Sequence, residues 1–137
     1  MSPEKSKIFV VDDDPAFSKA VSKTLKANGY QVVEESRMLV LIKSIVEENP
    51  DLILLDLCMP KAGGVEIIKT MWEMKINVPI LIISGQIKME DFRILRNFGV
   101  TEFLVKPFTM NALLAKVKEV LKPDIPEWVF KSNAQTE

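Results

Sequence analysis

The side chains with chemical reach sit where apolar runs end: Asp12, Asp13 and Asp14 after IFVV, Asp56 after LILL, Ser84 after PILII and Lys106 after TEFLV. Carboxylates held within a few ångströms repel one another, and such a group is tolerable only if a cation or a proton neutralises it. A hard divalent ion meets that need. Magnesium takes carboxylate, carbonyl and water oxygens and keeps positions for phosphate oxygens. A phosphorylated ligand would find the metal, the Lys106 ammonium and the Ser84 hydroxyl as complementary partners. A carboxylate attacking its phosphorus would form an acyl phosphate.

These groups converge only if the apolar runs are neighbouring strands. IFVV (8–11), LILL (52–55) and PILII (79–83) are short and rich in branched side chains, as strands buried on both faces are. YQVVE (30–34) and TEFLV (101–105) read as weaker strands. Helical spacing fills the intervals. The first helix takes Asp14 as N-cap and Pro15 at its first position, aligns Phe17, Val21 and Leu25, and ends at Asn28-Gly29. The second runs from about Met38 to Glu48 and is closed by Asn49-Pro50. A third follows Gly63-Gly64 with Val65, Ile68 and Trp72 on one side. The fourth covers about Lys88 to Asn97, stopped near Gly99, and the fifth runs from about Thr109 to Leu121 with Leu113, Val117 and Leu121 spaced for burial. Strictly alternating strands and helices predict an α/β fold, a doubly wound, mainly parallel sheet with right-handed crossovers and its crevice outside the carboxyl ends of the strands.

Composition narrows the chemistry further. At 137 residues and 47% apolar content the chain fits one domain with one full core. A net charge of -1 with no basic cluster argues against direct nucleic-acid binding. The absence of histidine excludes histidine-based catalysis and histidine-ligated zinc. The lone Cys58 excludes an internal disulfide and suits a reducing compartment. No signal peptide is apparent, and every apolar run is far below the ~20 residues that span a bilayer. The expected location is cytoplasmic, away from membranes. Pro123 and Pro126 end the last helix, and residues 123–137 read as a tail whose Trp128 and Phe130 pack locally or meet a partner.

Together VVDDDP, LLDLCMP, ISG and LVKPF, in that order and spacing, resemble the response-regulator receiver domain of two-component signalling over residues about 7 to 121. The resemblance implies the (βα)5 flavodoxin-like topology with strand order 2-1-3-4-5, within a receiver domain spanning 1–122. Asp56 then corresponds to the phosphoacceptor, and Asp12 and Asp13 to the acidic pair that positions Mg²⁺, Asp13 as the more direct ligand. Asp56 and the backbone carbonyl of Cys58 supply further metal oxygens. Ser84 and Lys106 contact the phosphoryl group, and Pro107 follows Lys106 through a cis peptide bond. Phe103 occupies the aromatic switch position, without the hydroxyl that tyrosine brings there. Gly85 stands where the family often has alanine, which bears on access to the modified aspartate. Asp14 can support the metal's water shell as well as cap the helix.

The implied reaction is phosphoryl transfer from an external phosphohistidine to Asp56, in a switch rather than a turnover enzyme. Because this chain lacks histidine, a sensor histidine kinase or a histidine phosphotransfer protein must be the donor. The output is a downstream protein partner or a removed output domain, with room for a phosphorylation-dependent dimer. Two rivals remain. A haloacid-dehalogenase-like magnesium phosphatase would use Asp12 as nucleophile and Asp14 as acid, leaving Asp56 without a role. A degenerate receiver would bind its partner constitutively.

Overall fold

The computed structural model describes residues 6–57 and 64–121. Within them, strands and helices alternate as β1 (Lys7–Val11), α1 (Pro15–Ala27), β2 (Gln31–Glu35), α2 (Met38–Glu48), β3 (Leu52–Asp56), α3 (Gly64–Glu73), β4 (Ile80–Ser84), α4 (Met89–Asn97), β5 (Glu102–Val105) and α5 (Met110–Val120). All strand pairs are parallel, in the order β2-β1-β3-β4-β5. The three apolar runs occupy the middle of the sheet. β3 is buried along its whole length, and β1 and β4 are buried from their second residue on, whereas β2 and β5 are half-exposed edges.

Two apolar layers follow from the period-two alternation of strand side chains. Phe9, Val11, Ile53, Leu55 and Ile82 face one way and meet Leu41 and Ile45 of α2, Ile68 and Met71 of α3, and Leu95 of α4. Ile8, Val10, Leu52, Leu54, Leu81 and Ile83 face the other way and meet Val21 and Leu25 of α1 and Leu113 and Val117 of α5. Both faces of the sheet are therefore covered, which lets the central strands be apolar throughout.

Local signals set the helix ends. The Asp14 side chain accepts the Ala16 and Phe17 amides at 3.1 and 3.3 Å, satisfying donors that the first turn of α1 leaves open. Asn49 ends α2 in the left-handed region at φ 46°, and Thr109 caps α5 by accepting the Ala112 amide at 3.0 Å. Gly99 follows α4 at φ 83°, a conformation that costs a glycine little and an L side chain more.

One expectation needs correction. Trp72 was expected on the buried stripe of α3, yet it is 56% exposed, and Met71 takes the core position instead. The unbranched thioether fits the space beside Ile68, while the larger indole packs edge-on against Phe98, just past α4, at 6.0 Å between centroids. The expected contributions of Cys58, Met59-Pro60, Gly63 and residues 122–137 lie outside the described residues.

Candidate functional site

Residues at the carboxyl edge of the sheet are tied together by the backbone. The Leu57 amide donates to the Ile83 carbonyl at 3.1 Å, and the Lys106 amide donates to the Ser84 carbonyl at 2.8 Å. Strand parity then decides which side chains meet. Asp12, Asp56 and Lys106 each stand two residues beyond Val10, Leu54 and Leu104, so they share the face covered by α1 and α5. Ser84 stands two beyond Ile82 and has the opposite parity.

Asp12 and Asp56 are each only 5% exposed, and Asp13 is exposed at the mouth. One carboxylate oxygen from each of these three lies within 4.8 Å of the others. Lys106 Nζ bridges the buried pair, at 3.3 Å from Asp12 Oδ2 and 3.2 Å from Asp56 Oδ2. Asp12 Oδ1 accepts the Asp14 amide at 2.9 Å, which holds the turn that carries the acidic triplet.

The electrostatics record an incompletely neutralised acidic group. Burial, with the Asp56 charge adding to it, pushes the Asp12 carboxyl above its ordinary value of 3.8, although the Asp14 amide and the Lys106 ammonium pull the other way. Burial on its own would lower Lys106. Its hydrogen bonds and charge interactions with Asp56 and Asp12 outweigh that effect, and the ammonium ends above its ordinary 10.5. This donor set fits a hard divalent cation: it is all oxygen, partly buried, and holds more negative charge than one lysine cancels. A cavity of about 350 Å³ opens beside it, with Asp12, Asp13 and Ser18 on one wall and Glu34, Glu35 and Arg37 on the other.

Ser84 is fully buried, and its hydroxyl donates to the Gln86 carbonyl at 2.8 Å while accepting the Gln86 amide at 3.2 Å. It is thus joined to the loop that leads into α4. Phe103 is half-buried and stacks on Phe92 of α4, with centroids 4.9 Å apart and planes tilted by 33°. Near this element pair Met89 and Val105 are exposed at 65% and 56%. The Lys106–Pro107 peptide bond is cis.

Sequence reasoning missed one residue of this site. Phe17, read there as part of a buried stripe, presents its ring to Lys106, whose Nζ stands 4.1 Å from the ring centroid. An aromatic residue in the first turn after an acidic triplet was the only available signal.

With this geometry in view, comparison with known proteins is consistent throughout. The family model described as the response regulator receiver domain matches residues 8–118. The alkaline phosphatase synthesis transcriptional regulatory protein PhoP of Bacillus subtilis is 32% identical over 116 residues, which are 85% of this chain and 48% of that protein. Response regulator MprA of Mycobacterium avium is 29% identical over 130 residues, 95% of this chain and 57% of the relative. The chain thus spans about half the length of these curated relatives. Among solved structures, a CheY-like receiver domain protein from Methanospirillum hungatei superposes with a TM-score of 0.79 at 26% identity, covering 85% of this chain and 94% of that one. Chemotaxis protein CheY4 of Vibrio cholerae gives 0.78 at 28% identity, covering 85% and 99%. The chain belongs to the response regulator receiver family of two-component signalling. The phosphatase alternative is not favoured. Asp56, idle in that reading, lies at the centre of the site, while Asp14, its acid, is occupied in capping α1.

Proposed function

We propose that the chain is a phosphorylatable switch that accepts a phosphoryl group onto Asp56 from a phosphohistidine of a sensor kinase or phosphotransfer protein. The observation that carries this reading is the Asp56 carboxylate, mounted at the end of the fully buried central strand and facing Asp12, Asp13 and Lys106. An Asp56 oxygen attacks phosphorus in line with the leaving imidazole nitrogen. The P–N bond breaks, its electron pair stays on the imidazole, and an acyl phosphate remains on the aspartate. Asp12, Asp13 and Asp56, with the Cys58 carbonyl, would hold Mg²⁺, which when bound offsets the charge of the approaching phosphoryl oxygens. The Lys106 ammonium pairs with one phosphoryl oxygen, exchanging a carboxylate partner for it.

The new dianion also recruits the Ser84 hydroxyl. To reach it, that hydroxyl gives up its bonds to Gln86, which pulls on the loop entering α4 and on Phe92, against which Phe103 rests. The affected face includes exposed Met89 and Val105, and we assign to it either a downstream partner or a phosphorylation-dependent dimer. Residues 1–122 form the receiver unit in this account, and 123–137 its tail or the linker to an output domain. We place its action in the cytoplasm, the reducing compartment that the lone Cys58 suits. No helix among the described residues is long and apolar enough to cross a membrane.

Intact-mass measurement after incubation with Mg²⁺ and phosphoramidate tests the proposal. A gain of about 80 Da that is retained in slower form by Asp12→Ala and lost in Asp56→Ala is expected. Adduct formation that persists in Asp56→Ala, or turnover of phosphate esters requiring Asp12 alone, would return the chain to the phosphatase reading. No adduct on the unmodified chain would make it a constitutive binding module.

A further inference from the structure

Lys106 is held from three sides. Asp12 and Asp56 each offer a carboxylate oxygen, at 3.3 and 3.2 Å, and the face of Phe17 lies 4.1 Å below the ammonium. Phe17 is itself fixed. Its amide is bound by the Asp14 side chain at 3.3 Å, and its ring meets Phe108 at 81° and 5.8 Å. Phe108 lies two residues beyond Lys106, so α1 and the loop before α5 close around the lysine from both directions.

The two kinds of contact differ in what happens when the site is used. On the function proposed above, both carboxylates are engaged by other groups during reaction, a cation at Asp12 and phosphorus at Asp56. The ammonium then loses the partners that hold it at rest. The ring face keeps its partial negative charge in every state of the site, and it attracts a partly buried ammonium, here 27% exposed, more strongly than a fully exposed one. A lysine has a flexible four-carbon stem and loses much rotamer freedom when fixed, so a contact that persists through the reaction keeps the ammonium ready for the phosphoryl oxygen. Packing alone would ask only for a large apolar side chain here, since Phe17 borders the apolar layer between α1, α5 and the sheet.

We propose that Phe17 is a positioning residue for phosphoryl chemistry at Asp56, its ring face holding the Lys106 ammonium in the crevice while the carboxylate partners change. This inference rests on Asp56 being the phosphoacceptor.

The test replaces Phe17 in the full chain by Leu, by Tyr and by a series of increasingly fluorinated phenylalanines, which keep the ring's shape while draining charge from its face. The rate of Asp56 adduct formation with phosphoramidate and Mg²⁺ should fall stepwise along the fluorinated series to about threefold to tenfold below the parent, with Leu at the low end and Tyr close to the parent. In the metal-free protein, the ε-methylene protons of Lys106 should be shifted upfield by the ring current in the parent chain and return to ordinary positions in Phe17→Leu. Equal rates across the fluorinated series, a Tyr variant as slow as the Leu variant, or unshifted lysine protons in the parent would each overturn the proposal. Failure of the underlying reading looks different. No variant, the parent included, would then acquire an adduct on Asp56.

Discussion

Asp12 concentrates the tension of this site in one carboxyl group. Its proton is held more tightly in the folded chain than in the unfolded one, chiefly because of burial and secondarily because of Asp56. A raised carboxyl pKa means that the fold is favoured most at low pH. The associated loss of stability sets in as pH rises through 3.8 and is complete above the raised folded value. Lys106 works in the opposite sense. Its raised pKa contributes stability that is fully present below 10.5 and is lost as pH climbs through the folded value. Asp12→Asn should therefore raise the Tm of the metal-free protein at pH 7, and the gain should vanish in strong acid. Thermal melts in EDTA across pH check this, and a neutral variant that melts below the parent at pH 7 would contradict it. Added Mg²⁺ should raise the parent's Tm and leave the variant's nearly unchanged.

Helix α1 carries both the acidic triplet's anchor and the aromatic beneath Lys106, so its first turn links stability to chemistry. Asp14→Ala removes the acceptor for two amides and should lower stability by about 1 kcal/mol, read as a lower urea midpoint at unchanged slope. The variant should still take up a phosphoryl group on Asp56, because Asp14 is outside the three-carboxylate cluster. Complete loss of the adduct would instead give Asp14 a chemical role. At the other end of the sheet, Gly99 marks the turn from α4 to β5. Gly99→Ala places a methyl carbon at φ 83° and 3.5 Å from the Trp72 ring, and the backbone conformation rather than the space should make it destabilising by roughly 1 kcal/mol.

On the proposed function, the molecule as a whole would transmit a charge change from a buried strand end to an exposed face. Ser84 and Phe103 stand on neighbouring strands, and both lead to α4, one through the Gln86 loop and the other through Phe92. Arg96 also lies over the Phe92 ring, 5.8 Å from its centroid. Stacked rings move together more readily than they part, so α4 is expected to follow Phe103 without the hydroxyl that a tyrosine would bring. Light scattering with Mg²⁺ and beryllofluoride, a phosphoryl mimic, should show the mass of a dimer that Val105→Glu abolishes, if the exposed face is used between copies. An unchanged monomer in every condition would direct that face to a different protein partner.

Much of this was legible in one dimension because the relevant physics is local or periodic. Short branched runs announced strands buried on both faces, Asp14-Pro15 announced a helix start, and acidic residues just past the central runs announced the crevice. Strand order came only through family resemblance, since alternating strands and helices are compatible with several orders. Other features needed three dimensions. Trp72 and Met71 are adjacent on a helix, and only the space left by the neighbouring layers decided which one went inside. The partners of Lys106 come from the turn after β1, the end of β3 and the first turn of α1, three places whose separation no sequence spacing encodes. Residue types and their periods specify which groups are available and which elements carry them. Which groups touch depends on how the sheet stacks those elements, because a hydrogen bond or a ring contact acts over a few ångströms and chain distance carries no record of it.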